Sequence, residues 1–206
     1  MKLYGNPLSN NCRKVYALIE HLGVDVELVA IDMMKREMNG PEFRKINPNG
    51  KVPAFTDGDL VLFESNAIML YLAEKFGTAL WPADATVRAE AAKWMFWEVG
   101  TLTPVTAAVV MEQLLKPMLG GTTDPAEVVA RTERYKPVAA ILDAHLAHRR
   151  YLTGDQPTIA DLSLGSAMTY APFAGLFEGF PHIAAWYRRL DEIDGWKQSA
   201  PPVGRG

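Results

Sequence analysis

Apolar positions recur with two different spacings along this chain, and the change of spacing divides it. Lys2-Leu3-Tyr4 is a short strand candidate. From Cys12 to Leu22 the apolar residues Val15, Leu18, Ile19 and Leu22 fall on one helix face. "VDVELVAID" (24–32) alternates as a strand does. "GPEFRKINPNG" (40–50) has the Pro, Asn and Gly content of a short helix followed by an irregular loop. "KVPAFTDGDLVLFES" (51–65) reads as a hairpin, two apolar runs around Asp57-Gly58. Asn66 to Phe76 is helical, with Ile68, Leu70, Tyr71, Leu72 and Phe76 as its apolar surface, and Gly77 ends it.

Beyond "TALWPADAT" (78–86), a proline-bearing linker, almost nothing alternates with period two. Val87 to about Met118 reads as one helix or two, broken or kinked near Thr103-Pro104. "GGTTDP" (120–125) is a break, and 126–149 is helical in spite of Pro137. "TGDQP" (153–157) is a loop before a helix from Ile159, "GFPHI" (179–183) starts the last clear helix, and "PPVGRG" is a tail. The expectation is an α/β domain over 1–77, a linker, and an all-α domain over 87–206.

Composition narrows the function. The chain is 49% hydrophobic and 22% charged with a net charge of −3, which makes nucleic acid a poor partner. One cysteine cannot form an internal disulfide or a cysteine-rich metal site, and the four histidines have no metal-like arrangement with it. His145 and His148 are expected on a solvated helix face. The N-terminus has no signal-peptide pattern, and no apolar run approaches the ~20 residues of a membrane span. We therefore expect a cytoplasmic protein that binds neither metal nor membrane.

Three places carry candidate chemistry. In "NPLSNNCRKV" (6–15), Ser9 precedes Cys12 by three residues at a strand-to-helix turn, where a thiol-disulfide enzyme would carry a second cysteine. A hydroxyl at a helix N-terminus can donate a hydrogen bond to a thiolate brought by a ligand. Lowering an ordinary thiol pKa of ~8.5 by two units takes about 2.7 kcal/mol, within reach of one charge-assisted hydrogen bond plus the helix end. At Val52-Pro53 a proline stands where a strand should begin. A cis bond would turn the Val52 backbone outward to pair with an extended peptide, and an ordinary trans proline at a strand edge is the alternative. At Glu64-Ser65, Ser65 is an N-cap candidate whose surroundings could hold a carboxylate, and Glu64 could meet an ammonium group; simple capping is the alternative.

The β-α-β-α-β-β-α order is that of a thioredoxin-like domain. The strand, the serine before the first helix, "NPNGKVPAF", "LFES" and "TIADLSL" together resemble a cytosolic glutathione transferase of bacterial type. "SNNCRKV", "DGDLVLFESNAI" and "EQLLKPMLGGTTD" (112–124) are most similar to the phi class. The resemblance covers essentially the whole chain. It implies glutathione as co-substrate, activated beside the catalytic Ser9 and conjugated to apolar electrophiles in a detoxification-type reaction, with peroxide reduction as a second use of the thiolate. Asn10, Asn11 and Cys12 are possible assistants. It implies that Val52, beside cis Pro53, pairs with the cysteinyl backbone and that Glu64 and Ser65 hold the γ-glutamyl end. Lys51 stands where the class usually has glutamine. Leu8, Met34, Met38, Leu115, Leu119 and Tyr170 would line a hydrophobic substrate site in a cleft between the domains, with core packing as the alternative for each. A homodimer is also implied, with Phe63, Met69, Trp94 and Trp97 as interface candidates.

The sequence departs from this pattern in one respect that matters. The family's His-Lys pair, which reaches the glycyl carboxylate, falls at Met38-Asn39. Asn39 can still donate a hydrogen bond, but a positive charge is missing unless Lys51, Lys35 or Arg36 replaces it. Cys12 is read as a small buried filler or, alternatively, as a reactive thiol. Thr158 and Asp161 in "TIADLSL" are spaced as a capping box and read as a folding signal. The rival to an enzyme is a non-catalytic binding or regulatory protein on the same fold.

Overall fold

The computed structural model describes residues 1–202; the last four residues of the expected tail lie outside it. The chain divides into two compact units. The first holds Met1–Trp81 together with the segment from Asp191 onward, and the second is Pro82–Leu190.

The first unit is a four-stranded mixed sheet in the order β2-β1-β3-β4. Strand β1 (Lys2–Gly5) leads into helix α1 (Asn10–Leu22), which crosses back to β2 (Glu27–Ala30) parallel to β1. A short α2 (Pro41–Ile46) precedes β3 (Ala54–Asp57), which runs antiparallel to both β1 and β4 (Leu60–Phe63). The hairpin closes with Gly58 at φ 57, the positive φ that mirror-image two-residue turns require. Helix α3 (Ser65–Phe76) follows directly and is buried through Ile68, Met69, Leu72 and Ala73. Helix α1 buries Cys12, Val15, Ala17, Leu18 and Ile19, the face its sequence spacing marked out. Gly5 permits its close approach to β1, because a Cβ there would lie 2.6 Å from the Tyr16 hydroxyl and 3.0 Å from the Cys12 sulfur.

The sequence shows no element after the last clear helix, yet residues 190–199 form packed turns. Ile193 and Trp196 are buried, and the Arg13 guanidinium lies 3.7 Å from the Trp196 ring centroid. Gly195, at φ +84, touches α1 so closely that a Cβ would fall 2.4 Å from the Ala17 carbonyl oxygen.

The second unit is helical. Helix α4 (Ala85–Trp97), capped by Asp84, runs on through α5 (Thr103–Val110) to α6 (Lys116–Met118), so of the readings left open at Thr103-Pro104 the continuous helix holds and the break does not. Two five-residue π segments, Glu98–Leu102 and Met111–Leu115, join the three. Pro104 sits at the first turn of α5, just past the wider segment, where a missing N–H costs least. Near the second π segment the Ala108 carbonyl accepts a hydrogen bond from Arg131 (3.0 Å), so a side chain enters the ladder there. Helix α7 (Pro125–Leu146) tolerates Pro137 internally. Helices α8 (Ile159–Ala167) and α9 (Pro181–Arg189) complete the unit.

Asp161 anchors the start of α8. Fully buried, it accepts N–H bonds from Thr158 (2.8 Å), Leu152 (3.0 Å) and the Trp186 indole (2.9 Å). The capping box read from "TIADLSL" is present. His145 departs from the sequence reading. Its ring lies 4.5 Å from that of Trp94 and its Nε2 is 2.8 Å from the Leu152 carbonyl; burial lowers its pKa, whereas His148 is exposed. No helix among the described residues is long and apolar enough to cross a membrane.

Candidate active site

The register of the sheet gathers the candidate residues at one end of the first unit. Ala54 pairs with Tyr4 on one side and with Phe63 on the other. The residues just past those pairs are Gly5, Pro53 and Glu64, so the loop to Ser9, the Val52-Pro53 pair and the Glu64-Ser65 pair share one edge. The Val52-Pro53 bond is cis, and Val52 precedes β3 and stands outside its ladder.

Ser9 is the N-cap of α1, at φ −83 and ψ 121. Its backbone carbonyl accepts the Cys12 and Arg13 N–H groups at 3.0 Å, and its Oγ accepts from Cys12 N–H at 3.4 Å. The Ser9 hydroxyl lies beside the buried Cys12 thiol, whose pKa it lowers against the larger effect of burial, at a helix end that favours negative charge. Cys12 is fully buried, and burial pushes its thiol up to about 11. It is the buried filler, not a nucleophile beside Ser9.

The other helix terminus differs from the expectation in one detail. Ser65 is the first residue of α3 and Glu64 is its N-cap, with no side-chain capping bond. Glu64 holds a left-handed φ of 72, strain of about 1–3 kcal/mol for a non-glycine residue and of the kind that collects at binding sites. Ser65 is buried and its Oγ reaches Asn11 Oδ1 at 3.4 Å. Lys14, fully buried on α1, donates to Asn66 Oδ1 at 3.2 Å. These contacts tie the first turns of α1 and α3 side by side, so two positive helix ends face the same edge.

A second cluster flanks this edge. Asn47 is buried and donates through Nδ2 to the Lys51 carbonyl at 2.5 Å, while its Oδ1 accepts from Asn49 N–H at 3.0 Å. The Arg44 guanidinium donates to the Asn39 carbonyl (3.3 Å), the Pro48 carbonyl (3.1 Å) and, loosely, Asn39 Oδ1 (3.5 Å). Sequence reading looked for the missing charge at Lys51, Lys35 or Arg36 and overlooked Arg44. Lys35 is engaged by Asp32 at 3.2 Å. The only sequence signal for Arg44 is a cation five residues after Asn39 across a Gly-Pro helix start.

The apolar positions divide between the units. In the first, Leu8 (45% exposed) adjoins Ser9, Met34 is exposed, and Met38 packs against the Ile31, Phe43 and Ala54 cluster. In the second, Leu119 is exposed, and Leu115 and Tyr170 are half-buried. Met69 and Trp94 are buried within their own units, and Trp94 stacks edge-on against the half-buried Trp97. Phe63 is exposed, as are Phe96 and Val99, which the sequence reading did not single out. No group of three or more His, Cys, Asp or Glu side chains among the described residues is placed to hold a metal ion.

Comparison with known proteins agrees with this geometry. The family model described as glutathione S-transferase, N-terminal domain, matches residues 1–74, and that for the C-terminal domain matches residues 126–189. Glutathione S-transferase 3 of Zea mays is 39% identical over 92% of this chain and 88% of its own length. The crystal structure of glutathione transferase F7 from Populus trichocarpa superposes with a TM-score of 0.88 at 32% identity, covering 97% of each chain. Glutathione S-transferase I from maize, in complex with an atrazine glutathione conjugate, superposes at 0.86 with 35% identity over 97% of this chain and 95% of that one. A serine-capped helix, a cis proline and a strained acidic residue on one sheet edge thus stand in a chain that belongs to the glutathione transferase superfamily and is phi-like within it.

Proposed function

We propose that this protein binds glutathione on the sheet edge of the first unit, ionises its thiol beside Ser9, and conjugates it to apolar electrophiles. The thiol proton leaves to solvent, the thiolate electron pair forms the new carbon–sulfur bond, and a leaving group departs with the pair it held. The protein takes no covalent part; its contribution is stabilisation of negative charge on sulfur. The observation that carries this reading is the Ser9 hydroxyl at the N-terminus of α1, on the sheet edge that also holds cis Pro53 and Glu64.

The neighbouring residues divide the tripeptide. Val52, beside Pro53, pairs with the cysteinyl backbone. Glu64 meets the γ-glutamyl ammonium, and Ser65 with the α3 terminus meets its carboxylate. Asn39 and Lys51 serve the glycyl end. The first unit, Met1–Trp81 with the segment from Asp191 onward, is the glutathione-binding unit, and Pro82–Leu190 is the helical one, in place of the expected division at 77 and 87. Leu8, beside Ser9, and Met34 and Met38 of the first unit offer apolar surface to the electrophile. A cytoplasmic homodimer is part of the reading, supported by exposed Phe63, Phe96 and Val99 and by a single cysteine that is buried and free.

Ser9→Ala tests it. A lost charge-assisted hydrogen bond is worth about 1.5–3 kcal/mol, so the bound thiol pKa should rise by about 1–2 units, read by thiolate absorbance. Turnover with an aryl halide near pH 6.5 should fall about 10- to 100-fold, with glutathione affinity little changed. Undiminished turnover would remove Ser9 from the mechanism. Wild-type protein that held to a glutathione resin without conjugating would be a binding protein instead.

A further inference from the structure

We propose that Arg44 binds the glycyl carboxylate of glutathione and makes this enzyme selective for the tripeptide over forms that lack that charge. The proposal rests on the glutathione reading above and adds a guanidinium to the glycyl end, where that reading places Asn39 and Lys51.

The proposed ends of the site differ in charge. Toward Glu64 and Ser65 an acid and a helix terminus suit an ammonium and a carboxylate together. The end around residues 39–51 has no acid in contact with its guanidinium: among the described residues Arg44 has no carboxylate partner, and its acceptors are two carbonyls and one amide oxygen. A guanidinium carries five N–H donors. Three are spent on those acceptors, which fix the plane of the group, and one donor on each terminal nitrogen is left. Two such donors are the fork that grips a carboxylate.

Gly50 makes the independent case. Its φ of +61 strains any side chain there, and a Cβ would press at 3.1 Å on both Arg44 Nη2 and the Met38 carbonyl oxygen. The residue beside the guanidinium is therefore one that leaves it uncovered. It also immediately precedes Lys51, whose carbonyl Asn47 holds at 2.5 Å. Arg44 is thereby joined to Asn39 on one side and to the segment leading to Val52-Pro53 on the other. An extended peptide pairing with Val52 would carry its next residue toward this cluster. Its carboxylate would meet a cation already oriented, at little entropic cost.

Arg44 also tethers two loops, so the test must separate binding from scaffolding. Wild type, Arg44→Gln and Arg44→Lys are assayed with glutathione and with its glycyl ethyl ester, which keeps the thiol and the γ-glutamyl end but has no glycyl charge. For Arg44→Gln the KM for glutathione should rise about 10-fold with kcat little changed, while the KM for the ester should move less than 2-fold. Arg44→Lys should recover part of the glutathione affinity and leave the ester unaffected. Equal losses for both thiols would show a loop support and overturn the proposal, as would no loss for either. Failure of the underlying reading is distinct: wild type would then conjugate neither thiol.

Discussion

Asp161 offers the sharpest test of how burial and hydrogen bonding compete in this fold. It is fully buried, and burial raises its pKa from 3.8 to about 6 in spite of three N–H donors that favour the ionised form. A raised carboxyl pKa means that the native state holds its proton more tightly than the unfolded chain does. The resulting stability is fully present below the unfolded pKa and is lost as pH rises through about 6. A rise of about two units corresponds to about 3 kcal/mol, a large share of an ordinary folding free energy. Asp161→Asn removes the titration. Its amide oxygen can still accept from Leu152 and Trp186, but its NH₂ faces the Thr158 N–H. The variant therefore forfeits one buried bond, about 1–3 kcal/mol, at every pH. Urea unfolding at one protein concentration, followed by tryptophan fluorescence, should show the gap between wild type and variant shrinking by about 2–3 kcal/mol from about pH 4 to about pH 7.5. Contributions from the other carboxylates cancel in that difference. A gap that ignores pH, or one wider at pH 7.5, would refute the reasoning.

Two further predictions concern the first unit. The Cys12 thiol, pushed up to about 11 and fully buried, should not react with a disulfide reagent near pH 8 in the native protein, whereas the urea-unfolded chain should titrate one thiol; rapid labelling of folded protein would contradict its inward placement. Gly195→Ala places a Cβ 2.4 Å from the Ala17 carbonyl at a φ of +84, and should cost about 2–5 kcal/mol, lowering Tm by about 5–15 °C; an unchanged melting curve would show that the segment after Asp191 does not bear on α1 as described.

Much of the site could be read locally. Ser9 as a helix cap, the proline at the head of β3 and the capping box at Thr158 each follow from a few neighbouring residues. Backbone dihedrals and hydrogen-bond caps are decided over one helical turn. The exact start of α3 was misjudged by one residue because the cap proved to be Glu64 in a left-handed conformation, which sequence disfavours and only the surrounding sheet can enforce. Arg44 was missed for a different reason. Its role depends on carbonyls at 39 and 48 and a bare glycine at 50, brought together by a loop whose path has no periodic pattern to read.

The sequence by itself determined the two kinds of domain, the order of elements along the first of them and the identity of the residues that can stabilise a thiolate. Those properties rest on side-chain period and on short-range backbone preference, which travel with the amino acids. The tertiary structure alone decided that the segment after Asp191 folds against α1, that π segments join the helices on either side of Pro104, and that His145 packs against Trp94. Each of these turns on a partner distant in sequence: Trp196 on Arg13, a π segment on the helices around it, an imidazole on an indole about fifty residues away. Long-range packing energy selects among conformations that local preference leaves nearly equal, and that selection becomes visible only once the chain has closed on itself.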